Sequence, residues 1–136
     1  MSVARAFISF DYDHNKTNKE LFIGQCTNSR TPFSVADWSA KEAMPQSEWK
    51  NLVEAKMKKT NMVIILVGRF MATATGVERE IKMAKENNIP YFGIYVDGAG
   101  FTSNLPAGLA RNQVIGWTWD KIADKIDEMM TKGKNR

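Results

Sequence analysis

Met62-Val63-Ile64-Ile65-Leu66-Val67-Gly68 is the stretch that decides the architecture. It is an unbroken apolar run, rich in β-branched residues. That is the pattern of a central parallel strand buried on both faces. It is far too short to cross a bilayer, which needs about 20 apolar residues in a helix. Upstream, Gln46 to Thr60 reads as a helix, with Trp49, Leu52, Val53 and Lys56 at helical spacing and Ser47 as its cap. Downstream, the loop Arg69 to Thr75 leads into a helix from Gly76 to about Asn88, which Ile89-Pro90 ends. Tyr91 to Val96 is the next strand.

The same alternation continues outward. Val3 to Phe10 reads as strand 1 and Asp11 to Asn15 as a polar loop. Lys16 to Thr27 reads as a helix with Leu21, Phe22 and Gln25 facing inward. Phe33 to Ala36 is a short strand 2 introduced by Pro32, followed by a loop from Asp37 to Pro45. Beyond the Gly-rich segment Asp97 to Asn112, Gln113 to Trp117 reads as strand 5 and Asp120 to Thr131 as the closing helix. Strands alternating with helices predict an α/β fold. The expected form is flavodoxin-like: an open parallel five-stranded sheet of order 2-1-3-4-5 with helices on both faces, and residues 1–136 forming one domain.

Composition agrees with a folded globular chain. Of 136 residues, 25% are charged and 43% belong to the hydrophobic set, enough to build a core. The net charge of +4 is spread along the chain. Its two basic clusters, Lys56-Met57-Lys58-Lys59 and the tail Lys132 to Arg136, read as a solvated helix end and a frayed terminus, not as a nucleic-acid surface. The single cysteine, Cys26, excludes an internal disulfide and reads as structural. With no signal peptide and no membrane-spanning run, the expected location is cytoplasmic.

Most chemical motifs are missing. No Walker loop, no G-x-G-x-x-G after strand 1 and no G-x-S-x-G elbow occurs. One histidine, His14, and one cysteine are too few for a His/Cys zinc site, so no metal is expected. Asp11 and Asp13 follow strand 1, where phospho-receiver domains carry an acidic pair. The acceptor aspartate that a receiver needs after strand 3 is replaced by Gly68-Arg69; the pair is read as loop capping, with metal binding the lesser alternative.

The predicted topology places a crevice where strands 1 and 3 send their connections to opposite faces, the default ligand site of such sheets. Ser9, Phe10, Asp11 and Tyr12 would line it after strand 1, and Gly68 and Arg69 after strand 3. The loop Asp37-Trp38-Ser39 lies beside them, with Trp38 either an aromatic platform for a ligand or a hydrophobic lid on the second helix. On the helix after strand 3, Thr75-Gly76-Val77-Glu78 fits a capping box with Glu78 reaching back. Val77, Ile81 and Ala84 form the buried stripe. Glu78 falls on the surface with Lys82, whereas Glu80 falls on the flank of the stripe, between Met83 and Ala84. A carboxylate there is expected to be partly desolvated and close to the sheet, and the residues alone allow a structural ion pair as readily as a functional role.

These residues resemble a family. Phe7-Ile8-Ser9-Phe10 resembles the first-strand F-[IV]-S-[YF] of Toll/interleukin-1 receptor (TIR) domains. Val77-Glu78-Arg79-Glu80-Ile81 resembles their W-V-x-x-E-[IL] segment, with Gly76 in place of the tryptophan. The similarity is stronger to the TIR-like domains of Thoeris antiphage ThsB proteins, through Phe10-Asp11-Tyr12-Asp13, Asp37-Trp38-Ser39, Thr73 to Val77 and Trp117-Thr118-Trp119. The resemblance implies the TIR-like form of the fold and a catalytic role for Glu80.

It further implies an enzyme that takes NAD as substrate, not as cofactor, and breaks the nicotinamide–ribose bond. The product would be an ADP-ribose-derived nucleotide, hydrolysed or cyclic, sensed by a separate effector in antiphage defence. The site is open, so self-association or a trigger-dependent assembly is expected to complete it. The alternative is a non-catalytic TIR-like module that acts through protein–protein contact.

Overall fold

A computed structural model of the chain describes residues 4–28, 30–37, 46–71 and 74–132. Five strands form one parallel sheet: β1 (Ala4–Ser9), β2 (Val35–Asp37), β3 (Met62–Val67), β4 (Tyr91–Tyr95) and β5 (Val114–Ile115), in the order β2-β1-β3-β4-β5. The predicted order is therefore the observed one. Four helices connect or close it: α1 (Lys16–Cys26), α2 (Gln46–Met57), α3 (Thr75–Glu86) and α4 (Trp119–Lys132).

Two cores lie on the two faces of the sheet. Alternate residues of a strand point to opposite faces. Ala4, Ala6 and Ile8 of β1, with Met62, Ile64 and Leu66 of β3, pack against Phe22 and Cys26 of α1 and Ile122, Ile126 and Met129 of α4. Phe7, Val63, Ile65 and Val67 face the other way, onto Val53 and Met57 of α2 and Val77, Ile81 and Ala84 of α3. Every residue of β3 is fully buried, as its continuous apolar run requires. The helices that follow β1 and β3 therefore lie on opposite faces, which makes the carboxyl ends of these two strands the topological switch point where such sheets bind ligands.

Several local expectations change. Leu21 is 57% exposed and Leu52 46%. Each lies one residue, or about 100°, off the buried stripe of its helix, Phe22 and Cys26 in α1 and Val53 and Met57 in α2. Lys56 is also exposed. β2 begins at Val35, two residues later than expected, although Phe33 still packs on Phe22 with ring centroids 6.2 Å apart. β5 is cut to two residues, Val114–Ile115: Arg111–Gln113 forms a 3-10 turn before it, and the strand ends before Gly116. Gln113 is tied back through its Oε1, which accepts from the Ala110 N–H at 2.8 Å. Trp38, Ser39, Thr73 and the side chains of Ser47 and Trp49 lie outside the described residues.

Candidate functional site

The capping box is not formed. Helix α3 starts at Thr75, with Ala74 as its N-cap and no side-chain cap hydrogen bond. Thr75 sits one position too late to cap, and Ala74 has no side-chain acceptor. The Ala74 carbonyl instead accepts the N–H groups of Val77 and Glu78 at 3.1 and 3.3 Å. Glu78 is thereby released from the cap and lies half-buried on the outer flank of the helix. It lines a groove of about 510 Å³ together with Arg79, Ile81, Lys82, Ala107 and Gly108.

Glu80 turns the other way. Ser9 shares the strand face of Phe7, because they are two residues apart, and stands opposite Ile65 in the register with β3. This face looks at α3. The Ser9 hydroxyl donates to Glu80 Oε1 at 2.8 Å, joining the end of β1 to the second turn of α3. Ser9 is completely buried. Glu80 as a residue is half-buried, but its carboxyl is enclosed against the sheet, and that burial pushes its pKa up to about 8. The Ser9 hydrogen bond acts in the opposite direction, because it favours the charged form. At neutral pH the carboxyl is therefore mainly protonated and is poised to ionise when positive charge arrives beside it.

The remaining candidates lie at the same carboxyl end of the sheet, and Phe10 packs on the α1 side, opposite the face of Ser9. Phe10 is half-buried, stacked on Tyr12 with centroids 5.2 Å apart, and the Lys19 ammonium lies 5.3 Å from its ring centre. Tyr12 is exposed. Asp37 ends β2 and pairs with Lys19 at 3.2 Å, closing that side of the loop cluster. Arg69 pairs with Asp97 at 3.3 Å and ties the β3 loop to the β4 loop. Gly68 is buried, and a Cβ there would run into the Asn15 carboxamide, so glycine lets the start of α1 approach the end of β3.

Of the acidic pair of the β1 loop, Asp11 caps the turn, and Asp13 takes part through its backbone N–H. Asp11 Oδ1 accepts from the Asp13 N–H at 3.1 Å, and the Asp11 carbonyl accepts from Asn15 at 2.8 Å. Among the described residues no group of three or more His, Cys, Asp or Glu is clustered to hold a metal. Nor is any helix long and apolar enough to cross a membrane. Cys26 is buried and its thiol is pushed up to about 12, chiefly by burial, which leaves it unreactive.

Sequence reasoning missed two residues at this mouth. His14 Nδ1 lies 2.7 Å from Asp11 Oδ2, and its ring stacks on Phe70 with centroids 4.0 Å apart and planes 19° from parallel. The i, i+3 spacing of Asp11 and His14 in a tight loop was the available signal for the first contact. Nothing in the sequence pointed to Phe70.

An open 2-1-3-4-5 sheet with a carboxylate of the strand-3 helix drawn to the end of β1 is the plan of a TIR-like domain. The family model for the Thoeris protein ThsB, TIR-like domain, matches residues 7–100, and the chain belongs to that family. The match runs from β1 through β4 and includes Ser9, His14, Phe70 and Glu80. No curated protein matches the chain.

Proposed function

We propose that this chain cleaves the nicotinamide–ribose bond of NAD, with Glu80 as the catalytic carboxylate. The product is an ADP-ribose-derived nucleotide signal. Self-association and a separate effector that senses the product in antiphage defence belong to the same reading. The observation that supports it most directly is the 2.8 Å bond from buried Ser9 to Glu80, which sets a carboxyl of raised pKa at the switch point of the sheet.

The chemistry suits one carboxylate. The C–N bond breaks and its electron pair leaves with nicotinamide, which departs neutral because it was bound as a pyridinium. No acid is needed to protonate the leaving group. The ribose carbon develops oxocarbenium character, as in glycoside hydrolysis. Arrival of the cationic ring draws the Glu80 proton off, and the resulting carboxylate stabilises the growing positive charge and accepts from ribose hydroxyls. Water as acceptor bonds to the ribose carbon, loses a proton and gives ADP-ribose. A hydroxyl of the substrate itself gives a cyclic isomer by the same steps.

The test is incubation of the purified protein with NAD, with mass analysis of products, across protein concentrations that span monomer and assembly. Release of nicotinamide supports the reading. An unchanged NAD pool under every condition, from folded protein, returns the chain to the non-catalytic module.

Two substitutions probe the arrangement. Ser9→Ala removes the bond that favours the ionised form, so the Glu80 carboxyl moves further above its present value of about 8. Cleavage should then slow more at pH 7 than at pH 9, and parallel pH profiles for mutant and wild type would refute the coupling. Glu78→Gln is expected to be mild, changing stability by about 1 kcal/mol or less. Glu78 lines the outer groove of α3, away from the crevice. A deep loss of activity in a normally melting Glu78→Gln protein would move the assignment to that residue.

A further inference from the structure

We infer that His14 is a second catalytic residue of this site: the base that takes the proton of the acceptor hydroxyl, with Asp11 and Phe70 as its positioning residues. The inference rests on the proposed NAD cleavage and concerns the step after nicotinamide departs. Asp11 is 8% exposed and accepts at 2.7 Å from the His14 ring. A carboxylate only accepts, so the His14 proton sits on Nδ1 and the lone pair of Nε2 points outward. Nε2 has no partner among the described residues, and the His14 side chain is 40% exposed.

The ring is held on two sides. Phe70 stacks on it from the β3 loop. The β1 loop beneath it is tied by Asp13 N–H to Asp11 Oδ1, and by His14 and Asn15 N–H to the Asp11 carbonyl. Such fixation goes beyond what a loop cap requires, since the Asp11 carbonyl and Oδ1 already close the turn. Asp11 follows Ser9 by two residues, a span of about 7 Å at most. The dyad therefore lies at the same carboxyl end of β1 as the Ser9–Glu80 pair. The local charge is not that of an anion site: Asp11, Asp13 and Asp97 outweigh Arg69, which is itself paired with Asp97. A hydroxyl is the ligand that suits an outward imidazole lone pair in this setting.

The step balances. The acceptor oxygen bonds to the ribose carbon that nicotinamide has left. Its proton passes to Nε2, and the imidazolium is stabilised by Asp11 until the proton returns to solvent. Glu80 governs departure of nicotinamide; His14 governs which oxygen replaces it.

Methanol added as a competing acceptor separates the two roles. A fixed base selects one acceptor, so the products of wild type do not follow the methanol-to-water ratio. In His14→Gln and Asp11→Asn, capture follows solvent composition, and the product ratio per nicotinamide released shifts by roughly fivefold or more. Added imidazole restores the wild-type ratio in His14→Ala. The inference is overturned if the variants keep the wild-type ratio, or if wild type already tracks the solvent. Absence of nicotinamide release from wild type overturns the underlying activity as well, which distinguishes the two failures.

Discussion

Glu80→Gln is expected to lower NAD cleavage by roughly 100-fold or more, the scale on which removing one preorganised stabilising group acts. Glutamine keeps the size of the side chain and can still accept from Ser9, so the packing of α3 on β1 and β3 is retained. What it loses is the negative charge that appears when the carboxyl ionises. Because that ionisation lies at about 8 in the free protein, wild-type kcat/KM should rise with pH up to about that value. The profile of kcat alone should level off earlier, because the bound pyridinium favours the charged form. Rates of nicotinamide release for folded mutant and wild type, followed from pH 6 to 9, check all three statements. Equal rates at pH 9 would remove Glu80 from the chemistry.

The same substitution should stabilise the fold at alkaline pH. The folded-state pKa of Glu80 is raised from 4.5 to about 8. Between these values the unfolded chain has released a proton that the folded chain still holds, so stability falls as pH rises through the window. The contribution is fully present below about 4.5 and is lost above about 8. Discounted for the part of Glu80 that remains exposed, the loss is on the order of 2–4 kcal/mol. Glutamine carries no proton to lose. Mutant and wild type should therefore unfold at similar denaturant concentrations at pH 4.5, with the mutant the more stable at pH 8.5. Subtracting the two curves cancels the other groups, and Cys26, titrating from about 9 upward, stays outside the window. A constant difference across pH would mean that the carboxyl is not desolvated.

Both predictions trace back to patterns that a reader of the chain can see. The run Met62 to Val67 has no polar residue to spare, so it must be covered on both faces, and that places it inside a parallel sheet. Its neighbours in sequence supply the covering helices. Helical periodicity alone set Glu80 beside the buried stripe of Val77, Ile81 and Ala84 and turned Glu78 outward. The alternation of strand and helix, together with the family signature at Phe7 to Phe10 and Val77 to Ile81, carried the order of the sheet.

Where one-residue differences mattered, periodicity was too coarse. Leu21 and Leu52 are apolar and lie next to the buried positions Phe22 and Val53, and composition cannot tell which of two adjacent residues faces the sheet. The cap of α3 failed for a similar reason: the helix starts one residue before the point that Thr75 could cap, set by how the β3 loop delivers the chain.

The sequence by itself determined the class of fold, the strand order and the place of Glu80 beside the buried stripe of α3. The tertiary structure alone decided what that carboxylate touches and what state it occupies. Ser9 and Glu80 are 71 residues apart, and His14 and Phe70 are likewise distant in the chain. Their contacts exist because parallel pairing of β1 with β3 brings the ends of two remote strands side by side. A desolvated pKa, an oriented imidazole and the close approach of Asn15 to Gly68 are properties of that juxtaposition. They depend on which groups exclude water from which others, and local patterns of residues do not encode it.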